Sequence, residues 1–276
     1  MGGIAPYAQE TCEKEITAIT LTQRTRMVFL MDYRTLEKKN ELELISFLRP
    51  FFDSENETRS FLQSIYKYDW NNRIPRQMIN QIYRFITLAS RIDQIWPVRD
   101  GLRIVFIKTC LESLFHLSGL DKNEKKQFYS VFADCFSDEG KKCILSRFRL
   151  LSYADYINGV LFDNSYSLTI SDFLEIIKSV RDRVVHDGEY WSIQLFAYGD
   201  DPEVNWITSF STTEKLLANR TLPNHGRNTD YYFETSLYYE DFKFYFVEAC
   251  INYVKAYISR LPICETPLDE CTPYAN

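Results

Sequence analysis

The alternation of apolar and polar positions reads as helix for most of the chain. Residues 41–52, ELELISFLRPFF, follow a helical pattern that stops near Pro50, and ETRSFLQSIYKYDW follows it. In PRQMINQIYRFITLASRIDQIW, Ile79, Ile82, Tyr83, Ile86 and Ala89 recur three and four apart, which predicts a longer helix ended by Pro97. Residues 99–118 predict an amphipathic helix with Leu102, Val105, Phe106, Thr109, Cys110, Leu114 and Phe115 as its buried stripe and Gly119 at the C-cap. Two shorter helices are expected over 122–135 and 138–151. Ser171 is the expected N-cap of DFLEIIKSVRDRVVH, with Phe173, Leu174, Ile177, Val180 and Val184 inward and Gly188 as the stop. A last helix spans about 236–261, striped by Phe242, Tyr245, Phe246, Ala249, Cys250, Tyr253 and Tyr257, and Pro262 ends it.

Strand signals are few. Residues 15–33 are rich in β-branched and apolar side chains, and 190–199 with 204–211 read as a hairpin joined by GDDPE. The fold class expected is mainly α, with a small β insertion at about 190–211. Residues 1–95 read as an N-terminal α(+β) extension, 96–262 as a helical bundle and 263–276 as a loose tail.

Composition narrows the function. The 276 residues suffice for a substantial core, and 19 Tyr with 20 Phe make it aromatic. A net charge of −6 argues against a broad, non-specific nucleic-acid binder but leaves room for a small basic pocket. The seven cysteines include no CxxC pair and are odd in number, the usage of reduced thiols in a cytoplasmic protein. Three histidines scattered over unrelated elements argue against a metal site, and no cofactor is expected. MGGIAPYAQE lacks the apolar centre of a signal peptide, and no run is long enough to cross a bilayer, so no membrane partner is expected.

One short run carries candidate chemistry: Arg181-Asp182-Arg183-Val184-Val185-His186, then Asp187-Gly188. An imidazole exchanges protons near neutral pH, and fixed positive charge beside it suits work on a phosphodiester. Asp182 and His186 are four apart and share a helix face, so Asp182 is placed to orient the imidazole. Arg181 and His186 are five apart, about 140° around the helix, so they do not share one narrow face, and a second copy across a two-fold axis would complete a cluster of two arginines and two histidines. The same residues also fit an ordinary helix end, with His186 favoured by the dipole and Arg181 and Arg183 solvated.

Arg181-Asp182-x-x-x-His186 resembles the R-φ-X3-H signature of the HEPN superfamily, in which φ is Asn, Asp or His. SVRDRVVHDG and LRIVFIKTCLESLF are similar to its Apea-like branch, and the likeness covers about residues 96–262. The resemblance implies an antiparallel HEPN-like bundle and a homodimer whose paired motifs form a metal-independent ribonuclease site. It implies His186 as the proton-transfer residue, Arg181 as the phosphate contact and Asp182 as the polar second residue. The RNA 2′-hydroxyl would attack the adjacent phosphate, leaving a 2′,3′-cyclic phosphate and a 5′-hydroxyl. Such proteins resemble toxins or antiviral defence effectors, with an antitoxin or regulatory protein as a further partner. A non-catalytic RNA- or nucleotide-binding, or dimerisation, module is the alternative.

Other residues are secondary. Lys141, Lys142, Arg147 and Arg149 on one predicted helix suit an RNA backbone or a solvated face equally well, and Arg183 joins them as an RNA contact. Glu112 stands either as an added acid near the motif helix or as a core-capping residue. The aromatic run YYFETSLYYEDFKFYF has core periodicity in its helical half. Trp191 and Trp206 read as sheet packing and His225 as a loop residue.

Overall fold

In a computed structural model, the described residues are 39–66, 73–96, 99–154, 168–190, 193–199, 206–212 and 229–261, with backbone alone at 149–154, 206–212 and 229–234. The expected strands at 15–33, the tail at 263–276, Trp191 and His225 lie outside them. The chain divides into two compact units, Met1–Leu62 and Gln63–Asn276.

In the first unit, helix α1 covers 39–48 and a 3-10 turn, Arg49–Phe51, follows at Pro50. Helix α2, Glu55–Tyr66, begins in this unit and runs past its last residue, Leu62, and its Phe61 packs on Phe52 with ring centroids 5.1 Å apart.

The second unit holds helices α3 (Ile74–Ile95), α4 (Asp100–Leu117), α5 (Lys125–Asp134), α6 (Asp138–Ser146), α7 (Ile170–Asp187) and α8 (Tyr239–Ile258). The molecule is thus mainly helical among its described residues. Helix α3 packs on α4 and α8, α4 on α7, and α5 and α6 on both α7 and α8. The division falls at Leu62 and Gln63, whereas the sequence boundary lies at residue 95. The reason is α3: Met78, Ile79, Ile82, Ile86 and Ala89 are buried, and their stripe belongs to the second unit's core.

Helix α7 follows its pattern, with Phe173, Leu174, Ile177, Val180 and Val184 all buried. Its N-cap is Thr169 rather than Ser171. Thr169 Oγ1 accepts from the Asp172 N–H at 3.2 Å, and the Asp172 carboxylate accepts from the Thr169 N–H at 2.8 Å. Helix α4 departs more. Its buried positions include Ile104, Ile107, Lys108, Leu111 and Leu114, while Leu102, Val105, Phe106 and Thr109 are half-buried. A helix clasped by α3 on one side and α7 on another has no single inward face for periodicity to reveal.

The helix expected over 138–151 ends at Ser146, and Phe148–Ala154 forms strand β1. Strands β2 (Trp206–Thr212) and β3 (Thr229–Thr235) complete an antiparallel sheet of order β1-β3-β2, with Phe148 and Trp206 both opposite Thr235. The register shifts between Leu150 and Ser152. The strand expected at 204–211 is found from Trp206 onward, as Trp206–Thr212, and pairs with β3. Among the described residues, 193–199 makes one isolated bridge, Phe196 to Tyr238; residues 191–192 and 200–205 of the expected hairpin lie outside the described residues.

Aromatic rings fill the core. Phe128 meets Phe115 and Tyr253 at 5.3 Å each, and Phe173 meets Phe242 at 5.3 Å, joining α4, α5, α7 and α8. Each such ring, fully buried, is worth about 1.5–3 kcal/mol of transfer free energy, with edge-to-face packing added. In the helical part of the aromatic run Tyr239, Phe242 and Phe246 are buried in the core, while Tyr245 is half-buried and Phe244 exposed.

Candidate functional site

The end of α7 is held in place from two directions. Gly188 adopts φ 70°, the left-handed turn that closes the helix, and its N–H returns to the Arg183 carbonyl. Gly101, at the start of α4, lies so close that an added Cβ would meet the Tyr190 carbonyl oxygen at 2.6 Å and Val184 Cγ2 at 2.9 Å. The first turn of α4 thus braces the last turn of α7.

Arg181 is half-buried and drawn toward α4. Its Nη2 donates to both carboxylate oxygens of Glu112, at 2.6 and 2.7 Å, and its Nη1 donates to Asp182 Oδ1 at 2.8 Å. Asp182 therefore turns to Arg181 and makes no hydrogen bond to His186. The Glu112 Oε1 also lies 3.3 Å from Lys108 Nζ and 3.5 Å from Lys125 Nζ. One carboxylate on α4 gathers a cation from its own helix, one from α5 and one from α7.

Lys108 has no exposed surface, and its Nζ makes no hydrogen bond. It sits 4.6 Å from the centroid of the Tyr129 ring, whose own buried hydroxyl also lacks a partner. Burial pushes the Lys108 ammonium down to about 8, against the opposing pull of Glu112. Burial also works against charge on Glu112, yet Lys108, Arg181 and Lys125 together hold its carboxyl below the ordinary value.

His186 stands in the last turn of α7, exposed. Among the described residues it makes no hydrogen bond or ion pair. Arg183 Nη1 donates to Glu189 Oε2 at 3.4 Å. The basic set around residues 141–149 does not share one helix face. Lys142 is exposed and Lys141 half-buried on α6, but Arg147 caps that helix, pairs with Asp241 and lies 5.1 Å over the Tyr238 ring. Arg149 falls in β1, its side chain outside the described residues.

The structure thus joins Arg181, Asp182 and Glu112 and adds two lysines that sequence reasoning missed. Lys108 had a signal: a charge inside the apolar run IVFIKTCL, four residues before Glu112. Lys125, in a polar stretch, had none. Among the described residues no three His, Cys, Asp or Glu side chains converge to hold a metal ion. No helix there is long and apolar enough to cross a membrane. The first unit has its own open cleft of about 440 Å³, lined by Leu42, Ile45, Arg49 and Arg59 among others. No protein-family model, curated protein or solved structure matches this chain.

Proposed function

We propose that this chain is a metal-independent endoribonuclease of HEPN type, working in the cytoplasm as a homodimer and serving as a toxin or anti-phage effector. The observation that carries the reading is the end of α7. There an exposed His186 stands about one and a half turns from the Arg181 guanidinium. In this reading His186 moves the proton between the 2′-hydroxyl and the leaving 5′-oxygen. The 2′-oxygen attacks phosphorus, the bond to the 5′-oxygen breaks, and a 2′,3′-cyclic phosphate and a 5′-hydroxyl result. Arg181 supplies fixed positive charge where the phosphorane gathers negative charge. Asp182 acts by holding Arg181. Because Arg181 and His186 diverge by about 140°, two copies of α7 complete one site. Arg183, Lys141 and Lys142 are the proposed RNA backbone contacts.

The test is incubation of purified protein with labelled RNA in EDTA, beside His186→Ala and Arg181→Ala. Cleavage with cyclic-phosphate ends by the wild type, lost in both variants, is expected. Unchanged cleavage by His186→Ala removes His186 from the role.

One observation favours a second reading, a non-catalytic module that binds RNA, a nucleotide or a partner protein such as an antitoxin. Arg181 is already engaged by two carboxylates, the state of a guanidinium kept for structure. On that reading no RNA is cut under any condition.

A further inference from the structure

Lys108 has no exposed surface and its ammonium, ion-paired among the described residues only with Glu112 at 3.3 Å and without the alignment of a hydrogen bond, is costly to keep charged there. The nearby Tyr129 hydroxyl is buried and unpartnered as well. Both can donate, and the nearest acceptor, Glu112, is shared: it takes two bonds from Arg181, one from Lys125 and an ion pair from Lys108 at 3.3 Å. Lys108, Lys125 and Arg181 face Glu112 and Asp182, three positive charges against two negative. The group as a whole is short of anion, not of cation.

The geometry of the carboxylate is informative. A guanidinium donating to two oxygens of one anion is how arginine grips a carboxylate and equally how it grips a phosphate. The Glu112 side chain is 23% exposed and that of Lys125 is 41% exposed, so the cluster reaches solvent at these two residues. Lys108, 3.3 Å from Glu112, has no exposed surface, so a ligand meets it only after neighbouring groups such as Glu112 move.

We propose that Lys108, Lys125 and Arg181 form a binding site for a phosphate group, and that the Glu112 carboxylate occupies this site in the free protein and leaves it when the ligand binds. The phosphate brings more negative charge and more acceptor oxygens than the carboxylate it displaces, and Lys108 exchanges its 3.3 Å ion pair with Glu112 for those oxygens. Glu112 swings toward solvent, where its charge is cheaply hydrated. The proposal rests on Arg181 being a phosphate contact. It adds two lysines to that contact and identifies a resident competitor. It also gives the paired state of Arg181 a meaning within the nuclease reading, as the resting state of the site.

A phosphodiester of RNA and a free phosphate share this chemistry, so the test carries both. Inorganic pyrophosphate is titrated by calorimetry into wild type, Glu112→Gln, Lys125→Gln and Lys126→Gln. Lys126 is exposed and next to Lys125, so its variant carries the same change of charge outside the cluster. Glu112→Gln is expected to bind at least ten-fold tighter than wild type. Lys125→Gln is expected to bind at least five-fold weaker, with Lys126→Gln unchanged. Equal affinity of Glu112→Gln and wild type overturns the proposal, and so does equal weakening by the two lysine variants. If Glu112→Gln does not fold, the two lysine variants decide alone. A labelled 2′-O-methyl RNA oligonucleotide, which lacks the attacking hydroxyl, is run in parallel. The same ranking with it assigns the site to a phosphodiester, and binding of pyrophosphate alone assigns it to a free phosphate. If this ranking holds while no RNA is ever cut, the nuclease reading falls and the phosphate site stands.

Discussion

Helix α4 carries two acid–base clusters, one in its first turn and one from its middle onward, and they differ in charge balance. At its start, Asp100 accepts from Arg103 Nη1 at 2.7 Å and from the Leu195 N–H at 2.7 Å, so both its oxygens are used. Arg103 also pairs with Asp93 on α3 and lies 4.0 Å over the Tyr239 ring of α8. Two carboxylates surround one cation, and the bonds tie α3, α4, α8 and residues 193–197 together. Toward the other end, three cations surround Glu112, and the most deeply buried of them makes no hydrogen bond. The first cluster has more carboxylate than cation and ties four parts of the fold together, although Arg103 Nε is buried without a hydrogen bond. The second has more cation than carboxylate, the charge balance that suits an incoming anion.

The largest expected effect lies in the first cluster. Arg103→Met strands Asp100, a carboxyl that burial already pushes up from its ordinary value. Urea unfolding should show a loss of about 3–5 kcal/mol, with pyrophosphate binding of the folded protein unchanged. A loss below about 1 kcal/mol, the worth of an exposed pair, would erase the distinction between the two clusters.

The second cluster should answer to pH instead. Lys108 has a folded value of about 8 against an ordinary 10.5. Between these values the unfolded chain keeps a proton that the folded protein has released, so raising the pH favours folding. From pH 8 to 10, wild-type unfolding free energy should rise by about 2–3 kcal/mol and then turn over. The turnover follows because burial pushes the Tyr239 phenol up to about 12, so above its ordinary value of 10 the unfolded chain ionises first. Lys108→Met should remove the rise and be at least as stable as wild type at pH 7, since a buried charge gives way to apolar volume. A variant whose stability still rises by the same amount would contradict the description of Lys108.

The contrast also explains what could be read from the chain alone. Helices α3 and α7 were legible because their buried apolar positions recur three and four apart, in a single stripe. The inward face of α4 was not, because α3 and α7 enclose it and because Asp100, Arg103 and Lys108 break the apolar code at buried positions. Arg181 and His186 were legible as residue types at a spacing. That Asp182 would serve Arg181 and not the imidazole depended on Glu112, 69 residues earlier, drawing the guanidinium across. Strand β1 was missed because Phe148–Ala154 becomes a strand only by pairing with β3, some 80 residues on.

The smallest expected effect is a control that touches neither cluster. Thr169→Ala removes the cap at the far end of α7 and should cost about 1 kcal/mol. Pyrophosphate affinity should stay at the wild-type value. A change in affinity would mean that the α7 terminus, and not the Glu112 cluster, governs the site.

The central claim is that the end of α7 cuts RNA, and the product ends test it most directly. Wild-type protein in EDTA should convert labelled RNA to fragments with 2′,3′-cyclic phosphate and 5′-hydroxyl ends, and His186→Ala should yield none. Fragments of the same kind and amount from His186→Ala, or 5′-phosphate ends from the wild type, would contradict it.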